Sequence, residues 1–227
     1  MGEESMKIAL PQRELTRFEI DEKVFKYFVP DNYQFPTEIE HRVDPYSSRI
    51  LYALIREYQP TSCLEIGTSH GGLTCVIQAA LLKNGKRFKY VASEMAPDLL
   101  TEATNWVTMV GKGVIPTMVG RIEKNLKHVP RKLDFFFQDT DHDLDNCLWY
   151  IKRIFPRLRP GALVGIHDWS VRYIDGKLTY EGGSFPEIQH LVKLIEKNEL
   201  PLQKLFWTWD HEDLRPSIAT SFWRYTG

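Results

Sequence analysis

The sequence predicts an α/β domain whose sheet is mostly parallel and covered by helices on both faces. Three observations carry this. From Cys63 onward, short apolar segments alternate with stretches of helical periodicity. The segment Leu133 to Gln138 is an apolar run, three phenylalanines in a row among its residues, as expected of a strand buried on both faces. Polar residues gather just past these segments, where open parallel sheets bind ligands, beyond the carboxyl ends of their strands.

The elements follow in order. Residues 1–40 are mixed in composition. Pro11, Pro30 and Pro36 argue against a long helix there, so these residues read as an N-terminal arm that packs on the domain or on a second subunit. The domain proper spans 41–227. Asp44-Pro45 marks a helix start, with Asp44 as N-cap and Pro45 at the first position. That helix runs to about Tyr58 and ends at Gln59-Pro60. A strand from Cys63 to Ile66 leads through a glycine-bearing turn to a helix ending near Asn84-Gly85. Phe88 to Glu94 is the second strand, and Pro97 opens the next helix. Val114 to Val119 is the third strand, followed by a short helix over Arg121 to His128. Leu133 to Gln138 is the fourth strand and Leu144 to Phe155 its helix. Pro160-Gly161 is a turn before a fifth strand, Ala162 to Ile166. Residues 169–184 contain Gly176, Gly182 and Gly183 and read as a loop or lid. Pro186 to Leu200 is a helix. Leu202 to Asp210 and Ser217 to Tyr225 form a terminal antiparallel pair.

Composition narrows the function classes. The chain has 227 residues, 43% of them hydrophobic, enough for one large domain with its own core. A net charge of -1 shows no basic excess toward nucleic acid or an anionic membrane. No apolar run approaches the ~20 residues of a membrane span. The N-terminus lacks a signal-peptide core. Three cysteines, Cys63, Cys75 and Cys147, lie in apolar settings and form no C-x-x-C pair. They read as buried free thiols in a reducing cytoplasm.

Chemistry concentrates at the strand ends. In Cys63-Leu64-Glu65-Ile66-Gly67-Thr68-Ser69-His70-Gly71-Gly72 a strand passes through glycines into a helix start. Glycine permits positive φ and close approach of a ligand, and free N–H groups at the helix start face that ligand. The spacing is not G-x-G-x-x-G, which argues against a dinucleotide. The second strand ends at Ser93-Glu94, where a carboxylate can accept both hydroxyls of a ribose. The third ends at Gly120-Arg121, which could border an adenine. The fourth ends in Asp139-Thr140-Asp141-His142-Asp143 and the fifth in His167-Asp168-Trp169. Carboxylates and imidazoles on neighbouring strands suggest acid–base chemistry or a metal.

The glycine turn resembles the E/D-x-G-x-x-x-G motif of methyltransferases that use S-adenosylmethionine (SAM). Ser93-Glu94-Met95-Ala96-Pro97-Asp98 is similar to the ribose-binding block of the catechol O-methyltransferases. Leu133 to His142 and Leu158 to Asp168 resemble the D-x-x-F-x-D-G-x-H and L-x-P-G-G-x-x-x-x-x-D blocks of small-molecule O-methyltransferases. Macrocin-type sugar O-methyltransferases and proteins described as cephalosporin hydroxylases are the most similar subgroup. The resemblance implies a Rossmann-like seven-stranded sheet and SAM held by Glu65, Gly67, Thr68, Ser69, Gly71, Glu94, Gly120, Arg121 and Asp139. It implies a divalent metal, usually Mg²⁺, at Asp139, His167 and Asp168. His167 departs from the pattern, because Mg²⁺ prefers oxygen. The metal is then softer, or His167 is a base or structural, or the site is metal-free.

The expected activity is methyl transfer to a hydroxyl of a phenolic, sugar or natural-product acceptor. His142 is the first choice for the base, with Asp139 or Asp141 as alternatives. Trp169, Tyr173 and Tyr180 could close over the acceptor, and Trp207 and Trp209 read as sheet core. An NAD-dependent oxidoreductase, a non-catalytic SAM-binding module and a non-haem iron hydroxylase are the rival readings. Neither nucleic acid nor membrane is an expected partner, and the reading leaves room for a homo-oligomer.

Overall fold

The computed structural model describes residues 11–31, 33, 44–111, 114–169, 171–174, 177–180, 185–208 and 219–227. Seven strands form one sheet: β1 (Ser62–Ile66), β2 (Lys89–Ser93), β3 (Thr117–Val119), β4 (Leu133–Gln138), β5 (Leu158–His167), β8 (Leu202–Trp207) and β9 (Thr220–Tyr225). A separate two-stranded hairpin joins β6 (Val171–Ile174) to β7 (Lys177–Tyr180). The sheet order is β3-β2-β1-β4-β5-β9-β8. Pairings from β3 to β5 are parallel, and β9 is antiparallel to both of its neighbours. This is the predicted mostly parallel sheet with a C-terminal antiparallel pair. The chain runs outward from β1 to β3, then crosses back to β4, so the order switches between β1 and β4. A crevice opens at that switch point.

Helices α2 (Pro45–Tyr58), α3 (Gly72–Lys83), α4 (Pro97–Val110), α5 (Ile122–Asn125), α6 (Leu144–Arg153) and α7 (Pro186–Glu196) alternate with the strands. Three consecutive phenylalanines in β4 show how the sheet divides the core. Phe135 and Phe137 pack with Ile50, Leu54, Val76 and Ile77 of α2 and α3. Phe136 points the other way, to Cys147 and Tyr150 of α6 and to Ile188 and Leu191 of α7. Successive side chains of a strand alternate faces, so a continuously apolar strand feeds two cores. All three cysteines are buried thiols that form no disulfide among the described residues. Among the described residues, no helix is long and apolar enough to cross a membrane.

Four local expectations are corrected. The N-terminal arm contains a helix, α1 (Arg17–Asp31), which Pro30 enters only in the last turn. Thr16 and Glu19 cap each other reciprocally: Glu19 N–H donates to Thr16 Oγ1 at 3.3 Å, and Thr16 N–H donates to Glu19 Oε2 at 2.9 Å. Leu15 and Ile20 are buried in the same core as α2. The third strand begins only at Thr117: Val114 and Ile115 are exposed, and Pro116 has no N–H for a ladder. Pro160-Gly161 is not a turn before β5 but an irregularity within it. Register shifts between the Leu133–Leu158 and Phe135–Leu163 pairs, with Gly161 at φ 84°. Finally, residues 169–184 hold the β6–β7 hairpin rather than an unstructured loop. Gly176, Gly182 and Gly183 lie outside the described residues, as does Trp209.

Candidate active site

A cavity of about 620 Å³ opens at the carboxyl ends of β1, β2, β4 and β5. That is within the size range of small-molecule sites. Its near wall is the turn after β1. Gly67 and Thr68 donate their N–H groups to Ser93 O at 2.8 and 3.2 Å, which ties the turn to the end of β2. Gly67 sits at φ 87°, and a Cβ there would lie 1.6 Å from the Asp139 carbonyl oxygen. Glycine is therefore what lets the ends of β1 and β4 close together. Gly71, at φ 90°, plays a different part: a Cβ there would come within 2.8 Å of the Ala103 Cα, so it sets the approach of α3 to α4.

Glu94 is the anchor of this wall. It lines the cavity at 8% exposure. Its Oε2 accepts from Ser69 N–H at 2.8 Å and its Oε1 from Ala96 N–H at 3.0 Å. Each oxygen has a second lone pair for a ligand hydroxyl. Met95, Leu99 and Ile122 supply apolar surface beside it. Arg121 also lines the cavity, with Nη2 3.7 Å from Met95 Sδ.

The sequence-predicted cofactor residues divide here. Gly67, Ser69, Glu94, Arg121 and Asp139 line the cavity, whereas Glu65, Thr68, Gly71 and Gly120 do not. Glu65 is fully buried and accepts from the Tyr90 hydroxyl. Burial pushes its pKa up to about 8, against the opposing effect of the Tyr90 bond. It is thus sealed beneath the turn, where burial favours the neutral acid, rather than a ligand-facing carboxylate. Gly120 accepts from Ser93 Oγ at 2.9 Å through its carbonyl.

The far wall carries the ionisable groups. Asp139, His167 and Asp168 each offer one atom within 4.8 Å of the others. His167 Nδ1 lies 3.2 Å from Asp139 Oδ1 and 3.3 Å from Asp168 Oδ1. Neither contact has hydrogen-bond geometry, so both ring nitrogens of this buried histidine, and Asp168 Oδ1, lack a hydrogen bond among the described residues. Burial alone would lower the His167 pKa, but Asp139 and Asp168 reverse this and raise it. Burial would raise the Asp168 pKa, but its hydrogen bond to His142 and the charge of the adjacent His167 outweigh this and hold it below the usual carboxylate range.

His142 is fixed on three sides. Nε2 is 2.8 Å from Asp168 Oδ2, Nδ1 is 3.0 Å from Glu187 Oε1, and the ring stacks on Phe185 at 3.7 Å. Burial works against its charge, but the two carboxylates prevail and raise its pKa to about 9. His142 therefore holds protons on both nitrogens at neutral pH, an arrangement opposite to that of a resting base. Asp141 is exposed on the cavity rim and accepts from Asn146 Nδ2 at 2.8 Å. Ser69, His142 and Asp168 all have positive φ, at 48°, 59° and 53°. Three non-glycine residues in the left-handed region around one cavity fit a site whose strain the surrounding fold sustains.

Trp169 is corrected from lid to core. It is fully buried against Trp207 and Trp223, with ring centroids 5.4 and 5.1 Å away. Tyr173 and Tyr180 belong to the β6–β7 hairpin, and their side chains lie outside the description. Sequence reasoning missed Glu187, Phe185 and Gln138. Glu187 follows Pro186 in the first turn of α7, where an acid reads as a complement to the helix dipole.

Residues 64–169 match a family described as a methyltransferase domain. No curated protein matches the sequence. Solved structures agree in fold. A methyltransferase of Podospora anserina bound to S-adenosylhomocysteine (SAH) is 14% identical with TM-score 0.60, over 98% of this chain and 91% of that one. An O-methyltransferase of Bacillus cereus in complex with SAH is 18% identical with TM-score 0.60, over 92% of each chain. An O-methyltransferase of tomaymycin synthesis from Streptomyces achromogenes, in complex with SAM, is 15% identical with TM-score 0.62, over 95% of this chain and 92% of that one. Residues 64–169 thus resemble a methyltransferase domain, and the chain has the Rossmann-like fold of these SAM- and SAH-bound methyltransferases.

Proposed function

We propose that the protein is a SAM-dependent O-methyltransferase acting on a hydroxyl of a small phenolic, sugar or natural-product acceptor, with help from a divalent metal, in the cytoplasm. One observation carries the reading. A single cavity joins a nucleoside-type wall, built on Gly67, Ser69 and Glu94, to a wall of ionisable groups, Asp139, Asp141 and Asp168. The O-methyltransferases with SAM or SAH bound that share this fold support it.

Glu94 suits a ribose, since backbone N–H groups already orient both of its oxygens. Met95, Leu99 and Ile122 suit an adenine face. SAM, when bound, supplies an electrophilic methyl on a sulfonium. The protein's share is to align an acceptor oxygen with that methyl, and alignment accounts for much of the rate in such transfers.

The donor set fits a divalent ion, on the evidence of a buried imidazole and a carboxylate oxygen without hydrogen bonds beside Asp139. Asp139, His167 and Asp168 would hold it. One nitrogen with two oxygens suits Mn²⁺ or a softer ion better than Mg²⁺. Such an ion lowers the pKa of a hydroxyl and orients it. With His142 tied to two carboxylates, Asp141 on the rim takes the acceptor proton.

The test is SAH release from SAM across phenol, catechol and sugar acceptors, with Mn²⁺ added and with a chelator. SAH formation that requires a hydroxyl acceptor supports the proposal. Transfer only to amine or thiol acceptors would refute the O-methyl assignment, and turnover unaffected by exhaustive chelation would remove the metal.

A further inference from the structure

We infer that Glu187 is a positioning residue for the metal-binding carboxylate Asp168, acting through His142. The inference rests on the metal site proposed above. Glu187 lies on α7, outside the segment that matches the methyltransferase family, and is fully buried. Its Oε1 accepts from Gln138 Nε2 at 3.2 Å and from His142 Nδ1 at 3.0 Å. The far side of the same imidazole donates from Nε2 to Asp168 Oδ2 at 2.8 Å. Phe185, one residue before α7, stacks on the ring at 3.7 Å and 12°. The line from Glu187 to His142 to Asp168 thus has no loose joint.

Its effect on Asp168 is specific. One carboxylate oxygen is occupied by His142. The other, Oδ1, makes no hydrogen bond among the described residues and lies 3.3 Å from His167 Nδ1. Asp168 also sits at φ 53°, in the left-handed region that non-glycine residues seldom adopt. Groups hydrogen-bonded to a metal ligand orient it, and losing one typically weakens metal binding about 10–100-fold; His142 is that partner of Asp168, and Glu187 holds His142 in place. Here the imidazole stands between two carboxylates, and α7 becomes part of the site without touching the ion.

The experiment follows Mn²⁺ binding by the loss of the free-ion EPR signal, with SAM binding measured by calorimetry on the same samples. Glu187→Ala should bind Mn²⁺ about 10–100-fold more weakly and SAM within about twofold of wild type. Glu187→Gln keeps a carbonyl to accept from His142 Nδ1 and should restore Mn²⁺ affinity to within about threefold of wild type. Should Glu187→Ala fail to fold, His142→Ala makes the same break and should show the same selective loss. Wild-type Mn²⁺ affinity in either folded variant overturns the inference. So does a parallel loss of SAM and Mn²⁺ binding, which would mark a purely structural role. Wild-type protein that binds SAM but not Mn²⁺ overturns the inference and the metal site while leaving methyl transfer standing. Wild type that binds neither overturns both.

Discussion

Replacing Glu94 by alanine should weaken SAM binding about 10- to 150-fold in a protein that still folds. The carboxylate holds two backbone donors, Ser69 N–H at 2.8 Å and Ala96 N–H at 3.0 Å. Truncation strands both, at about 1–3 kcal/mol each when no water can replace the oxygen. Glu94 faces the cavity, so water can follow the truncation, and the low end applies: roughly 2 kcal/mol of fold stability in total. The ligand loses a comparable amount. A hydrogen bond from a ribose hydroxyl to a charged acceptor is worth about 1.5–3 kcal/mol, or roughly 10- to 150-fold in Kd. Glu94→Gln retains one acceptor oxygen but turns an amide toward an N–H donor, so its loss should fall between wild type and alanine. Calorimetric titration with SAH, beside thermal unfolding of each variant, separates the two effects. A folded Glu94→Ala protein whose Kd for SAH stays within about threefold of wild type would refute the assignment of this carboxylate.

Three further outcomes are expected. Gly67→Ala combines a left-handed residue, about 1–2 kcal/mol, with a Cβ driven onto the Asp139 carbonyl, about 1–3 kcal/mol; thermal unfolding should show a loss of roughly 5–20 °C, and an unchanged midpoint would contradict the close approach of β1 and β4. In chelated, metal-free protein, Glu65, His142 and His167 all bind protons more tightly folded than unfolded. The stability they contribute is complete below their unfolded pKa values and is lost as pH rises through the folded ones, so the unfolding midpoint should be lower at about pH 9.5 than at about pH 7; Asp168, shifted the other way, matters only in acid, and a midpoint that rises toward pH 9.5 would refute the sign. Cys63, Cys75 and Cys147 are buried, and burial pushes the Cys75 and Cys147 thiols up to about 12; a thiol reagent should therefore label none of them quickly before unfolding, and rapid native labelling would contradict it.

The parallel core was legible because its strands are short, mostly apolar runs that alternate with stretches of helical periodicity. Leu133 to Gln138 could be placed to the residue, since both of its faces are covered and turn residues bound it. The α1 helix was obscured by attention to prolines, although Thr16 and Glu19 carried the capping signature. The β6–β7 hairpin was hidden among glycines that read as loop. Strand ends located the cavity, but not which side chains face it. Glu65 and Glu94 look alike in sequence, yet one lies sealed beneath the turn and the other faces the cavity. Glu187 was out of reach for another reason: its partner His142 is 45 residues away, and no local pattern reports a contact made by the docking of α7. Trp169 follows a site residue in sequence, but past the end of β5 the chain turns it into the tryptophan core, its backbone N–H donating to Ala219 O at 3.0 Å.

The central claim is that the cavity at the β1–β4 switch point is a SAM site. The most direct test is calorimetric titration of the wild-type protein with SAM, with NAD⁺ as the competing ligand of related folds. Saturable one-to-one binding of SAM and no heat from NAD⁺ is the predicted result. Absence of SAM binding by folded protein, or binding of NAD⁺ in its place, would contradict the account.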